Sequence, residues 1–220
     1  ESHVEQWQVE VARADVHDAL NDNADLFVME ASATMNHFKL AAYWQQAGDV
    51  VSVVHHKIEG KGTPYQRELI EVPTYGSKSA VERKVCVAET IKRLEAGDRF
   101  VMVTQPGQRE VEDCADLIEA AAQRHGDLDV EIYTYHGETD QEEVEEMLGE
   151  LDPAISRVIV ATPRLLTGMN MEDLDSIVTD GIQKYPESDT NGNTALIPGH
   201  MSQAELQQAL GRIGRFKDGV

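Results

Sequence analysis

Gly97-Asp98-Arg99-Phe100-Val101-Met102-Val103-Thr104, followed by Pro106-Gly107 and then by Val111, Cys114, Ala115, Ile118 and Ala122, sets the architecture of this chain. The first part is a short β-rich apolar run closed by turn chemistry. The second places apolar residues at helical spacing on one face. The same alternation extends in both directions. Strand-like runs are read at Leu26 to Met29, Val50 to Val54, Glu68 to Val72, Val130 to Tyr135, Arg157 to Ala161 and Ser176 to Val178, and Ser79 to Leu94 reads as a helix with Val81, Val85, Ala88 and Ile91 on one face. Strand and helix in repetition predict an α/β fold, a parallel sheet flanked by helices. The segment Tyr185 to Asn193, rich in Pro, Ser, Asp, Asn and Gly, reads as a hairpin or extended loop between two strands.

Gly60-Lys61-Gly62-Thr63-Pro64 is the densest turn segment of the first half, so a boundary is placed there, with one domain over 1–62 and another over 63–220. The 220 residues carry 40 acids against 19 bases, a net charge of -21. That balance excludes coating of nucleic acid or anionic membrane by bulk charge, so any phosphate contact has to be local. No apolar run is long enough for a membrane span and no signal peptide is recognisable. Cys86 and Cys114 have no zinc spacing, which predicts a reducing compartment, the cytoplasm, and no metal-held fold. The acidic run carrying Glu138, Asp140, Glu142, Glu143, Glu145, Glu146 and Glu150 reads as a solvated helix face. His55, His56 and His136 belong to no metal constellation and read as structural. The first residue is Glu1 rather than Met, from which a processed product or fragment is expected.

Near the end stands Gln208-Ala209-Leu210-Gly211-Arg212-Ile213-Gly214-Arg215, closing a helix that begins near Ser202. Two arginines three apart, each directly preceded by a glycine, suit a bound phosphate: guanidinium groups hold phosphate oxygens in fixed geometry, and glycines let a ligand approach the backbone. The same residues also suit a plain helix C-terminus, with basic side chains answering the dipole and glycine as a cap.

Gln208-x-x-Gly211-Arg212-x-Gly214-Arg215 resembles motif VI of superfamily 2 helicases, and further motifs of that family stand upstream in order. Ser32-Ala33-Thr34 resembles the motif linking hydrolysis to strand separation. Glu1-Ser2-His3 resembles the last three residues of the Asp-Glu-x-His motif. Val158 to Met171, with Thr162, Gly168 and Asn170, resembles motif V, and Gly97 to Thr104 with Pro106-Gly107 resembles motif IV. Pro163, Leu166 and Ala209 depart from the family pattern. The ending from Glu205 to Gly219 is most similar to the helicases of positive-strand RNA virus polyproteins, of potyvirus cylindrical-inclusion and pestivirus or flavivirus type, with cellular DEAH-box helicases next.

The resemblance implies a RecA-like second helicase domain preceded by the C-terminal part of a first one. It implies an RNA helicase that couples hydrolysis of ATP or another NTP, with Mg²⁺, in the interdomain cleft to translocation and unwinding. Arg212 and Arg215 would reach the γ-phosphate, Gln208 would orient the attacking water, and Glu1 and His3 would complete the catalytic set. Gly168 and Asn170 would join the nucleotide site, Ser32, Ala33 and Thr34 would couple, and Thr104, Gly107 and Thr162 would grip RNA, single-stranded or duplex. The Mg²⁺ ligand is an Asp expected just before Glu1. No G-x-x-x-x-G-K-[ST] loop occurs, since neither Gly60-Lys61 nor Gly76-Ser77-Lys78-Ser79 has the spacing, so the chain alone is expected to be inactive and to depend on the rest of the helicase. The competing expectation is a catalytically degenerate RecA-like domain that serves as a nucleic-acid-binding or interaction module.

Overall fold

The computed structural model describes residues 7–23, 25–30, 37–46, 53–54, 65–72, 79–150, 152, 154–168, 171, 173–190 and 192–220. Glu1, His3, Ser32, Ala33, Thr34 and Asn170 lie outside them. The backbone divides into two compact units, residues 1–62 and 63–220.

The first unit contains α1 (Trp7–Asp22) and α2 (His37–Trp44). The Arg13 guanidinium bonds Glu10 at 2.6 Å and Glu30 at 2.9 Å. The His17 ring stands 5.4 Å from that of Tyr43 and 6.5 Å from that of the buried Trp44.

The second unit is built in the order α3 (Ser79–Glu95), β1 (Phe100–Thr104), α4 (Gln108–His125), β2 (Val130–Tyr135), α5 (Gln141–Met147), β3 (Ser156–Ala161), α6 (Leu165–Gly168), β4 (Ser176–Thr179), β5 (Ile182–Ser188), β6 (Thr194–His200) and α7 (Gln203–Leu210). Four strands form a parallel sheet in the order β2-β3-β1-β4, with β1 and β3 central. Their side chains alternate between two cores. Phe100, Met102, Ile159 and Ala161 face Met147, Leu165, Leu166, Leu174 and Ile213. Val101, Val103, Val158 and Val160 face Cys86, Leu94, Val111, Cys114 and Ile118. Because both faces are covered, the central strands are continuous apolar runs rather than alternating ones.

Helix α4 buries the five residues its periodicity selects, Val111, Cys114, Ala115, Ile118 and Ala122, and ends at Gly126 with φ 80° and its N–H on the Ala122 carbonyl. Helix α3 is rotated from expectation. Cys86, Thr90 and Leu94 are buried, Val85 and Ile91 are half-buried and Ala88 is exposed. The cause is local: Thr90 Oγ1 donates to the Cys86 carbonyl at 2.8 Å, so a residue that reads as polar is satisfied within its own helix and sits inside.

Two predicted strands are not strands, and a third lies mostly outside the described residues. Leu26 to Met29 is in no strand among the described residues, and Phe27 and Met29 are exposed. A strand exists only against a neighbour, and among the described residues of 1–62 there is none. Val53 and Val54 are likewise in no strand, and residues 50–52 lie outside the described set. Among the described residues the sheet continues beside β4 through isolated bonds: the Val220 carbonyl accepts from the Ile177 N–H, and Gly219 exchanges bonds with Gln66 and Glu68, while Leu69 to Val72 are exposed and in no strand. The segment Tyr185 to Asn193 resolves as the turn end of an antiparallel hairpin, β5 with β6, in which Ile182 pairs with His200 and Ser188 with Thr194. The acidic run lies on and around α5, with most of its glutamates exposed.

Candidate nucleotide and nucleic-acid site

The carboxyl ends of the parallel strands gather one group of candidate residues, as such sheets do. Thr104 closes β1, is buried, and its Oγ1 donates to Thr179 Oγ1 at the end of β4 at 2.7 Å. Gln105 follows, also buried, with its N–H on the Ala161 carbonyl at 2.9 Å and its side-chain amide on the Thr104 carbonyl at 2.8 Å. Thr162 leaves β3 half-buried, its N–H on the Tyr135 carbonyl at 3.0 Å. Thr104 and Ala161 are register partners, so Thr104 and Thr162 end adjacent strands.

Gly107 caps the start of α4 with an extended backbone and no side-chain cap. A Cβ there would meet the Lys184 amino group and come 2.7 Å from Glu110 Oε2, so an added side chain would have to displace the ends of this pair. Lys184 Nζ bonds both Glu110 oxygens, at 3.0 and 2.8 Å. Burial raises the Glu110 carboxyl, but the Lys184 hydrogen bond and a backbone amide outweigh it and hold the group below the usual carboxylate range. At the end of β4, Asp180 is pushed up to about 6 by burial, with the Ile182 amide opposing. His136 belongs to a turn: its N–H donates to Thr139 Oγ1 and its ring Nδ1 accepts from the Glu138 amide.

The second group stands on α7 and the turn after it. Ser202 and Glu205 form a capping box at the helix start, a Ser-x-x-Glu spacing that the sequence already carries. Gln208 is half-buried on the helix. Past Leu210, Arg212 is half-buried, Ile213 is 2% exposed in the core, and Arg215 is exposed with Nε donating to the Gly211 carbonyl at 2.7 Å. Arg215 thus does answer the helix end, and that same bond orients its guanidinium. Gly214 takes φ 64°, and a Cβ would meet the Arg67 side chain at 2.6 Å. Lys217 pairs with Asp175, whose other oxygen accepts the Arg99 and Phe100 amides. The arginine turn is therefore held at one end by Ile213 and at the other by Lys217 and Gly219.

Departures from the expected motifs have a packing explanation. Leu166 and Ala209 belong to the same buried cluster as Ile213, and Pro163 is buried as well. Gly168 is the last residue of α6. Sequence reading misses Lys184, Glu110 and Glu205 as anchors beside the site, because their contacts join residues 20 to 74 positions apart. Among the described residues no group of three or more His, Cys, Asp or Glu could hold a metal ion, and no helix is long and apolar enough to cross a membrane.

Residues 80–217 match the family described as helicase conserved C-terminal domain. Over its whole length the chain is 26% identical to the ATP-dependent RNA helicase HrpB of Escherichia coli strain K12. Two solved structures share its fold: the E. coli DExH-box NTPase HrpB, with a TM-score of 0.74, and the E. coli DEAH/RHA helicase HrpB, with 0.72. Each is 22% identical and each match covers all of this chain. The chain spans 26% of the length of these relatives. With more than half of its residues matched by that family and a parallel sheet covered by helices on both faces, the chain belongs to the helicase conserved C-terminal domain family and has its RecA-like fold.

Proposed function

We propose that residues 63–220 are the second RecA-like domain of an ATP-dependent RNA helicase and that residues 1–62 are the C-terminal part of its first. In this reading Arg212 and Arg215 neutralise charge developing on the γ-phosphoryl group, Gln208 orients the attacking water, and Gly168 and Asn170 complete the nucleotide contacts. Gly107 and Thr162 hold phosphates of one RNA strand, while Thr104, expected among them, is buried with its hydroxyl on Thr179 and supports the strand ends instead; Ser32 to Thr34 couple, and Glu1 and His3 belong to the hydrolytic set. The phosphate cradle and the Mg²⁺ ligand are supplied from sequence other than these 220 residues, so the chain by itself neither hydrolyses ATP nor unwinds RNA.

The observation that carries the reading is the pinned arginine turn. Ile213 anchored in the core between Arg212 and Gly214 presets the backbone of both arginines, so their charge is delivered without reorganisation at the moment of reaction. Leu166 and Ala209 fill core volume, which gives these two departures from the family pattern a packing role. The relatives matched along the whole chain are bacterial, so the proposal is framed on the cellular DEAH type and not on viral polyprotein helicases.

Single-turnover hydrolysis by the helicase containing this chain, with Arg212→Ala, tests the reading. The expected result is a loss of about 10³-fold or more in rate with RNA binding retained. A variant that hydrolyses at the wild-type rate contradicts it.

A further inference from the structure

Strand β5 is held from both faces. On one face Gln183 and Tyr185 reach the same carboxylate: the Gln183 side-chain amide donates to Glu205 Oε1, and the Tyr185 hydroxyl to Glu205 Oε2 at 3.0 Å. That carboxylate already accepts the Ser202 N–H at 2.6 Å as part of the α7 capping box. On the other face, Lys184 pairs with Glu110 directly over Gly107. Alternation along a strand puts residue 184 opposite 183 and 185, so one strand joins the start of α7 to the start of α4.

We propose that Glu205 is a positioning residue: by tying β5 to the start of the arginine helix, opposite the Lys184–Glu110 pair, it makes β5 a strut that transmits RNA occupancy at the Gly107 turn to Arg212 and Arg215. The inference rests on the function proposed above and adds to it the path between its two groups of residues. A capping box needs only one acceptor from Glu205. The two extra donors, from a strand 20 or more positions away, are what a cap alone does not require. The Glu205 carboxyl is raised by burial but held below its usual range by the Ser202, Tyr185 and Gln183 donors, in accord with three bonds on one anion.

Glutamine also serves at this position of a capping box, so Glu205→Gln keeps the helix start while removing the negative charge that holds the Gln183 and Tyr185 donors. In the helicase containing this chain, ATP hydrolysis is measured with and without single-stranded RNA. For Glu205→Gln, unstimulated hydrolysis stays within about twofold of wild type and RNA stimulation falls by about tenfold, inside the usual range for coupling between sites. Tyr185→Phe shifts stimulation in the same direction by less. Unchanged stimulation, or an equal fall in both rates, overturns the proposal. A wild-type helicase that hydrolyses no ATP fails the function proposed above, and the strut is then decided by hydrogen exchange. Glu205→Gln speeds amide exchange in β5 and at residues 107–110 if the strut exists, and exchange confined to β5 refutes it.

Discussion

Ile213 and Gly219 are pressed together: a β-carbon at position 219 would lie 2.9 Å from the Ile213 Cβ and 3.0 Å from the Asp175 carbonyl oxygen. The obstacle is a buried branched side chain and a backbone oxygen, neither of which yields cheaply. Gly219→Ala is therefore expected to lower stability by about 1–3 kcal/mol, the usual cost of overpacking. Urea denaturation of the purified chain measures it, and a variant as stable as wild type would mean that the arginine turn is not held as described. Gly214→Ala, at φ 64° and against Arg67, should lose stability as well.

Asp180 gives the protein a pH-dependent contribution of definite sign. Its folded-state pKa is raised to about 6 by burial, while in the unfolded chain it ionises in the ordinary carboxylate range. Below both values it is protonated in either state and contributes nothing. Between about pH 4 and 6 the unfolded chain releases its proton first, so stability falls as pH rises through that window and the penalty persists above it. Asp180→Asn retains the acceptor for the Ile182 amide and removes the charge. Relative to wild type it should gain about 3 kcal/mol at pH 8 and far less near pH 4, since each tenfold change in an acid dissociation constant on folding corresponds to about 1.4 kcal/mol. Denaturant titrations of both proteins at the two pH values decide it, and an equal difference at both would show that the carboxyl is not the cause.

Cys86 and Cys114 are buried thiols, each pushed up to about 12 by burial. A thiol that high carries almost no thiolate at pH 8. Neither should react with a thiol reagent in the native state, and both should react in denaturant. Rapid stoichiometric labelling of the native protein would show that the α3–α4 layer opens readily.

Much of this architecture is legible in the amino-acid sequence, and the reasons are physical. Phe100 to Thr104 and Arg157 to Ala161 are buried on both faces, so their identity depends on their own apolar character and not on any one neighbour. Helix α4 is readable because its inward face is almost wholly apolar. Helix α3 is turned from its apparent apolar face because Thr90 hides its hydroxyl in a bond to Cys86. Leu26 to Met29 and Glu68 to Val72 have strand composition, but pairing belongs to the partner as much as to the segment. At the candidate site, the arginines and glycines of the last turn are legible because their chemistry is local. The Glu205 and Lys184 anchors are not, because each acts on residues distant in sequence.

The proposal that Arg215 completes an ATP-hydrolysing site from the turn after α7 is decided by steady-state ATP hydrolysis of the RNA-saturated helicase carrying Arg215→Ala. The account predicts a fall of about 10³-fold or more in kcat, as for arginine fingers in other NTPases, with folding stability close to wild type because the side chain is exposed. Hydrolysis undiminished by that substitution, in a protein that remains folded, would contradict it.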